Sequence, residues 1–215
     1  MPWIESNLRD CALESAGETQ LLVDGIFAGL EYLHKYRIVH GDLHWANILI
    51  EESPKGPRRA ILADFGMTRM LQDGLSSTSG DPRISRAEMF MPPEIRTALT
   101  MAKESQTQVT LKPDASTDVF SFGVVLLALG MARPGHAIYE IEEQKLSLST
   151  VVEDLSAART LARPFMAGYP RGSNEIWARK IWGLIRKLVR MERAPDVTTL
   201  RSDLYQLGFM GNLLI

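Results

Sequence analysis

Three features of the 215-residue sequence predict a mainly helical fold with one small β-hairpin. Leu21, Leu22, Ile26, Leu30 and Leu33 recur at three- and four-residue spacing within Thr19 to His34, which makes one face of an amphipathic helix. The apolar runs ANILIEE and RRAILAD flank SPKGP, whose prolines and glycine turn the chain, so a two-stranded hairpin is expected at 47 to 64. Beyond Asp118 nearly everything reads helical, including a periodic stretch through Trp177, Ile181, Leu184, Ile185 and Leu188.

With 45% hydrophobic residues the chain can bury one sizeable core, and a single domain over 1–215 is expected. The longest uncharged stretch, Val119 to Ala132, falls short of the roughly 20 residues a bilayer requires and reads as a buried core helix. The 24 basic and 26 acidic residues give a net charge of -2, too little field for nucleic acid or an anionic membrane, so neither is expected as a partner. A lone cysteine, Cys11, excludes an internal disulfide, and no charged-then-apolar leader opens the sequence. A reducing cytoplasmic or nuclear location is therefore expected. Two polar segments, 66 to 80 and TMAKESQTQ at 100 to 108, read as surface loops.

The stretch VHGDLHWAN, Val39 to Asn47, sits in a loop between the first helix and the hairpin. His40 and His44 lie four apart, with His34 six before them. That spacing shares a face only on a helix, and Gly41 and Asp42 intervene, so a histidine metal site is disfavoured. Acid/base chemistry fits better. Asp42 and Asn47 stand five apart across a tight loop, and ADFG at 63 to 66 adds the carboxylate of Asp64 at a strand end. Such a set suits phosphoryl transfer, in which one carboxylate orients a hydroxyl and an Asp/Asn pair holds magnesium. Taken singly, each of these residues reads as a cap or a turn.

The order of the pieces makes the pattern specific, and it resembles the eukaryotic protein kinase family, in style closest to the tyrosine-kinase-like group. IVHGDLHWANILI is similar to that family's catalytic loop, LADFG to its magnesium loop, and MFMPPEI to the segment closing the activation loop. STDVFSFGVVLL is similar to its central buried helix, and LIRKLVRMERAPDV to its late helix and arginine-containing turn. The resemblance implies ATP and Mg2+ as cofactors and a protein hydroxyl as acceptor. It places the activation segment at 64–94, the central helix at 118–132 and an inserted loop at 95–117.

Carried over residue by residue, the resemblance implies that Asp42 accepts or orients the substrate hydroxyl proton while Asn47 and Asp64 coordinate magnesium. His40 and Asp118 would support the loop, with Asp118 receiving its backbone N–H groups, and Glu94 would form a buried ion pair with Arg193. The opening MPWIESNLRD resembles the hinge between the two kinase lobes, with 1–10 as its start, so a C-terminal lobe without the upper lobe is expected. No two of the 16 glycines are spaced as G-x-G, and transfer by the chain alone is expected to be weak or absent. A second kinase chain or a partner supplying an upper lobe is then an expected partner besides the protein substrate.

Gly41 stands where many family members carry arginine, and His44 where serine/threonine kinases carry lysine, so the acceptor class stays open. HGDLHWANIL also resembles aminoglycoside phosphotransferases, but MPPE, DVFSFG and the Arg193 turn speak against them. A pseudokinase acting as a binding module is the alternative from another class. The basic stretch 179 to 193 reads as an ordinary packed helix rather than a membrane or calmodulin-binding one, and GIFAG at 25 to 29 as a close-packing face.

Overall fold

The computed structural model describes residues 4, 6–11, 16–54, 56–65, 75–76, 88–106, 110–111, 114–130, 183–189 and 196–209. Helix α1 spans Ala16–Lys35, and its stripe of Leu22, Ile26, Leu30 and Leu33 is buried as the periodicity predicts. Strands β1 (Ile48–Glu51) and β2 (Arg59–Leu62) form the expected antiparallel hairpin, with Ile48 opposite Leu62 and Glu51 opposite Arg59. Residues 6–8 lie along the free edge of β1. The Leu8 N–H donates to the Ile48 carbonyl at 2.8 Å, and the Ile50 N–H to the Ser6 carbonyl at 2.9 Å.

Helix α1 lies on β2, and the two glycines of GIFAG are where it approaches. An added Cβ at Gly25 would meet the Ala60 backbone oxygen at 3.5 Å, and one at Gly29 would meet Leu62 Cδ1 at 2.9 Å. This is close packing of helix on strand, as expected of that motif. At the hairpin turn, Arg58 reaches Glu18 in the first turn of α1, and its Nη1 donates to Cys11 Sγ at 3.1 Å.

Strand β3 (Leu75–Ser76) falls within the 66 to 80 segment read as a loop, and it pairs antiparallel with β4 (Thr110–Leu111). Helix α2 covers Pro93–Ser105, so the stretch 95–117, expected as an inserted loop, is helical through Ser105. Its polar composition hid a helical pattern. Proline opens the helix, where its missing N–H costs nothing, and Ala, Met, Lys and Glu are strong helix formers. Leu99 and Ala102 are buried, three apart on one face, while Thr100, Met101 and Glu104 are exposed.

Helix α3, Ala115–Gly130, begins three residues before the expected Asp118. Asp114 starts it by accepting the Ser116 N–H at 2.8 Å and the Thr117 N–H at 3.2 Å on Oδ1. Val119, Phe120, Phe122 and Val124 to Leu127 are all buried, which is the environment of a helix apolar all round. Phe122 meets Phe27 of α1 with ring centroids 5.9 Å apart. No helix among the described residues is long and apolar enough to cross a membrane.

Residues 183–189 form helix α4, and Val197–Gln206 form α5. Leu184, Ile185, Leu188 and Val189 of α4 are buried, and Lys187 pairs with Asp203 at 2.8 Å, so the described part of the basic stretch packs its apolar face as expected. Gly123 is where α4 crosses α3. A Cβ there would lie 2.7 Å from Leu188 Cβ, an atom fixed to the backbone. Gly123→Ala is therefore expected to destabilise by about 1–3 kcal/mol through forced separation of the helices, outweighing a helix-propensity gain of about 1 kcal/mol. A urea midpoint equal to or above that of the unsubstituted chain would show that the helices part without cost.

Candidate active site

Asp118 anchors the loop that follows α1. It is fully buried near the start of α3, and its carboxylate accepts three hydrogen bonds from the other side of the core. The His40 N–H reaches Oδ2 at 2.8 Å, the Gly41 N–H reaches Oδ1 at 2.8 Å, and His34 Nε2–H reaches Oδ2 at 2.8 Å. Gly41 adopts φ 75, a left-handed conformation that glycine takes without strain.

His40 is buried, and its tautomer follows from its partners. Nε2–H donates to the Ala63 carbonyl at 3.0 Å, which leaves Nδ1 to accept the Asp42 N–H at 3.4 Å. Burial is the largest influence on this ring and holds its pKa below the ordinary histidine value of 6.5, although Asp118 and the Ala63 bond pull the other way. A neutral imidazole thus joins the loop to the end of β2. Phe65 lies beside it, with ring centroids 5.1 Å apart.

The loop closes on itself through Asn47, whose Nδ2 donates to the Asp42 carbonyl at 2.9 Å and to Asp42 Oδ2 at 3.2 Å. His44 stands on the other side, with Nε2 3.7 Å from Asp42 Oδ1, near enough for charge attraction but longer than a hydrogen bond. Burial pushes the Asp42 carboxyl up, yet the His44 contact, the nearby imidazoles and the Asn47 amide outweigh it and hold Asp42 below the usual 3.8. Asp42 is therefore an ionised, oriented carboxylate at neutral pH.

Asp64 reaches the same neighbourhood through the hairpin. The Ala63 N–H donates to the Asn47 carbonyl at 2.9 Å, extending the β1–β2 ladder by one pair and leaving Asp64 as the next residue. Asp64 is exposed and takes φ 61, a left-handed backbone that aspartate tolerates better than most residues.

Asp42, Asn47, Asp64, His40 and Asp118 thus come together. The remaining expected pair is described only at one end. Glu94 is exposed in the first turn of α2, where a carboxylate is favoured by the helix dipole, and Arg193 lies outside the described residues.

Two contributors escape the sequence reading. His34, weighed there only as a metal ligand, is a third donor to Asp118 from 84 residues away. Its position supplied a signal, since it lies four residues after Leu30 on the buried stripe of α1. His44, read as a disfavoured metal ligand and for what it replaces, has its Nε2 3.7 Å from the Asp42 carboxylate. The two histidines of the loop do not converge on a common point: one ring faces Ala63 and the other faces Asp42.

Comparison with known proteins accords with this geometry. Residues 5–193 match the family model described as the protein kinase domain. A G-type lectin S-receptor-like serine/threonine-protein kinase of Arabidopsis thaliana is 32% identical over 140 residues, 62% of this chain and 14% of that protein. LysM domain receptor-like kinase 10 of Oryza sativa subsp. japonica is 34% identical over 124 residues, 56% of this chain and 18% of its own length. A meiosis-specific serine/threonine-protein kinase of Schizosaccharomyces pombe is 34% identical over 113 residues, 52% of this chain and 24% of its own length. Each match therefore covers less than a quarter of the relative. The match to the family model extends over most of the chain, which belongs to the protein kinase domain family.

Proposed function

We propose that this chain is the helical, C-terminal lobe of a protein kinase domain, transferring the terminal phosphoryl group of ATP to a protein hydroxyl. The observation that carries the reading is the pairing of Asp42 and Asn47 within one loop, pinned on Asp118 and set beside Asp64 by the Asn47–Ala63 bond. In this reading Asp42 orients the acceptor hydroxyl and takes its proton. Its carboxylate is ionised at neutral pH, as that task requires. His40 stays neutral and structural.

The donor set fits magnesium. Asn47 spends its amide N–H on Asp42, so its Oδ1 is the atom suited to a cation, and Asp64 supplies a carboxylate. Both are the hard oxygen ligands magnesium prefers. When bound with ATP, the ion neutralises charge developing on the phosphates. The loop residues orient the acceptor.

DVFSFGVVLL and the receptor-like kinases among the relatives support placement in the tyrosine-kinase-like group, and the relatives named as serine/threonine kinases support serine or threonine as acceptor. The activation segment then runs over 64–94. No G-x-G occurs in the 215 residues, so phosphates bound here would stay partly solvated, and transfer by this chain alone is expected to be slow or absent. A second kinase chain or an upper-lobe partner would restore it.

Calorimetric titration of the chain with ATP and magnesium tests the reading, with Asp64→Ala as control. Micromolar, magnesium-dependent binding that is lost in the control is the expected result. No binding at millimolar ATP would overturn the nucleotide site and leave the fold as a binding module.

A further inference from the structure

We propose that the outer face at the C-terminal end of α1, built from Tyr32, Lys35, Tyr36 and Arg37, docks a short acidic peptide segment of a partner protein. This end of the helix has two faces. Leu30 and Leu33 are buried, and the His34 imidazole reaches inward to Asp118. Tyr32 and Tyr36, one turn apart, face the other way and are 63% and 56% exposed. Their ring centroids lie 4.9 Å apart, so the two form one aromatic surface rather than two scattered residues. Lys35 Nζ stands 6.0 Å from the centroid of the Tyr36 ring.

Charge decides the chemistry of the occupant. Lys35 and Arg37 are both exposed, and among the described residues no carboxylate pairs with either. Glu31, the carboxylate nearest in sequence, is engaged by Arg201 of α5 at 3.2 Å. The face thus carries two unanswered positive charges beside an aromatic platform. Arg37 closes α1 with φ 58, its N–H donating to the His34 carbonyl at 2.9 Å. That left-handed position favours glycine or asparagine, and an arginine there accepts backbone strain while adding a second cation next to Tyr36 in the chain. The helix dipole also favours cations at this end, but it calls for no exposed aromatic pair beside them.

The size of the patch selects a peptide segment over a folded surface. A covered tyrosine buries about 150–250 Å², so the exposed pair offers roughly 250 Å², against about 800 Å² per partner in a stable protein interface. A two-fold dimer would set the patch against itself and oppose like charges. Two cations are also short of the roughly 4–8 that hold a protein on anionic lipid. An acidic segment with an apolar residue between its carboxylates meets both features, the apolar side chain covering the rings and the carboxylates answering Lys35 and Arg37.

The test is fluorescence anisotropy of labelled nonapeptides titrated with the 215-residue chain. The probes are glutamate peptides with a central leucine, proline or phenylalanine, with lysine-for-glutamate versions of each as controls. At least one glutamate peptide is expected to bind with a submillimolar Kd that weakens as salt is raised, and none of the lysine versions to bind. Tyr32→Ala and Tyr36→Ala are each expected to weaken binding about fivefold or more, and Lys35→Glu about threefold or more. Arg37→Gly separates docking from folding. Glycine suits the left-handed position, so the melting midpoint is expected to hold or rise, while binding weakens about threefold. A Kd weaker than about 1 mM for all three glutamate peptides overturns the proposal. Equal affinity for the lysine versions, or full affinity in Arg37→Gly and Tyr36→Ala, does the same. Binding to vesicles of phosphatidylserine and phosphatidylcholine in equal parts, without binding to the peptides, overturns it in favour of a membrane surface. None of these readouts depends on phosphoryl transfer.

Discussion

Asp118→Ala is expected to unfold the chain or bring it to the edge of unfolding. Three donors converge on that carboxylate at 2.8 Å each, two from the loop backbone and one from His34. Truncation strands all three where Asp118 is fully buried and His40 is buried beside it. A donor left unsatisfied in a buried site costs about 1–3 kcal/mol, so three together cost about 3–6 kcal/mol after partial relaxation. That is a large share of the roughly 5–15 kcal/mol by which a domain is stable. In a domain of this size each kcal/mol moves the melting midpoint by about 2–4 °C, so a fall of about 10 °C or more is expected by circular dichroism. A shift under about 4 °C would mean that water or a rearranged loop replaces the carboxylate, and that the loop does not hang on α3. Asp118→Asn keeps one acceptor oxygen and is expected to fall between the two.

The parts of this architecture that were legible in the sequence are those that repeat. Helix α1 declares itself through Leu22, Ile26, Leu30 and Leu33, the hairpin through two apolar runs about a proline-glycine turn, and α3 through a stretch with no charge at all. Helix α2 differs from the expected loop because the polar residues of TMAKES lie on a helix. Polarity marks an exposed face as readily as a loop, and the buried pair Leu99 and Ala102, three apart, is too short a period to stand out among the polar residues around it. At the site, the order of motifs singled out Asp42, Asn47, Asp64 and Asp118, since each belongs to a short segment whose spacing the chemistry constrains. His34 and His44 were not legible in this way. Their roles depend on where a side chain points, and the Asp118 contact of His34 spans 84 residues that no local pattern connects. The expected pairing of Glu94 with Arg193 rests on motif context alone, without a periodic or spatial signal, and only its Glu94 end, exposed in the first turn of α2, lies among the described residues.

Asp42→Asn is expected to leave the fold intact and remove transfer. The side chain of Asp42 is 20% exposed and takes no part in the apolar core, and Asn matches its shape. The strongest tie of the loop here, from Asn47 Nδ2 to the Asp42 backbone carbonyl at 2.9 Å, is untouched by the change. The melting midpoint should therefore move by no more than about 4 °C, the scale of a 1 kcal/mol change. The chemistry loses more. An amide oxygen at this place can accept a hydrogen bond from the hydroxyl but is too weakly basic to take its proton, and losing a positioned proton acceptor typically costs 10²- to 10⁴-fold in rate, or about 3–5 kcal/mol in the barrier. Phosphate incorporation into a protein substrate, measured in a preparation where the wild type turns over, should fall by at least about 100-fold. Full activity in Asp42→Asn would remove Asp42 from the chemistry. Loss of the fold in Asp42→Asn together with a stable Asp118→Ala would reverse the two roles, because the geometry assigns to Asp118 the work of holding the loop and to Asp42 the work that the held loop performs.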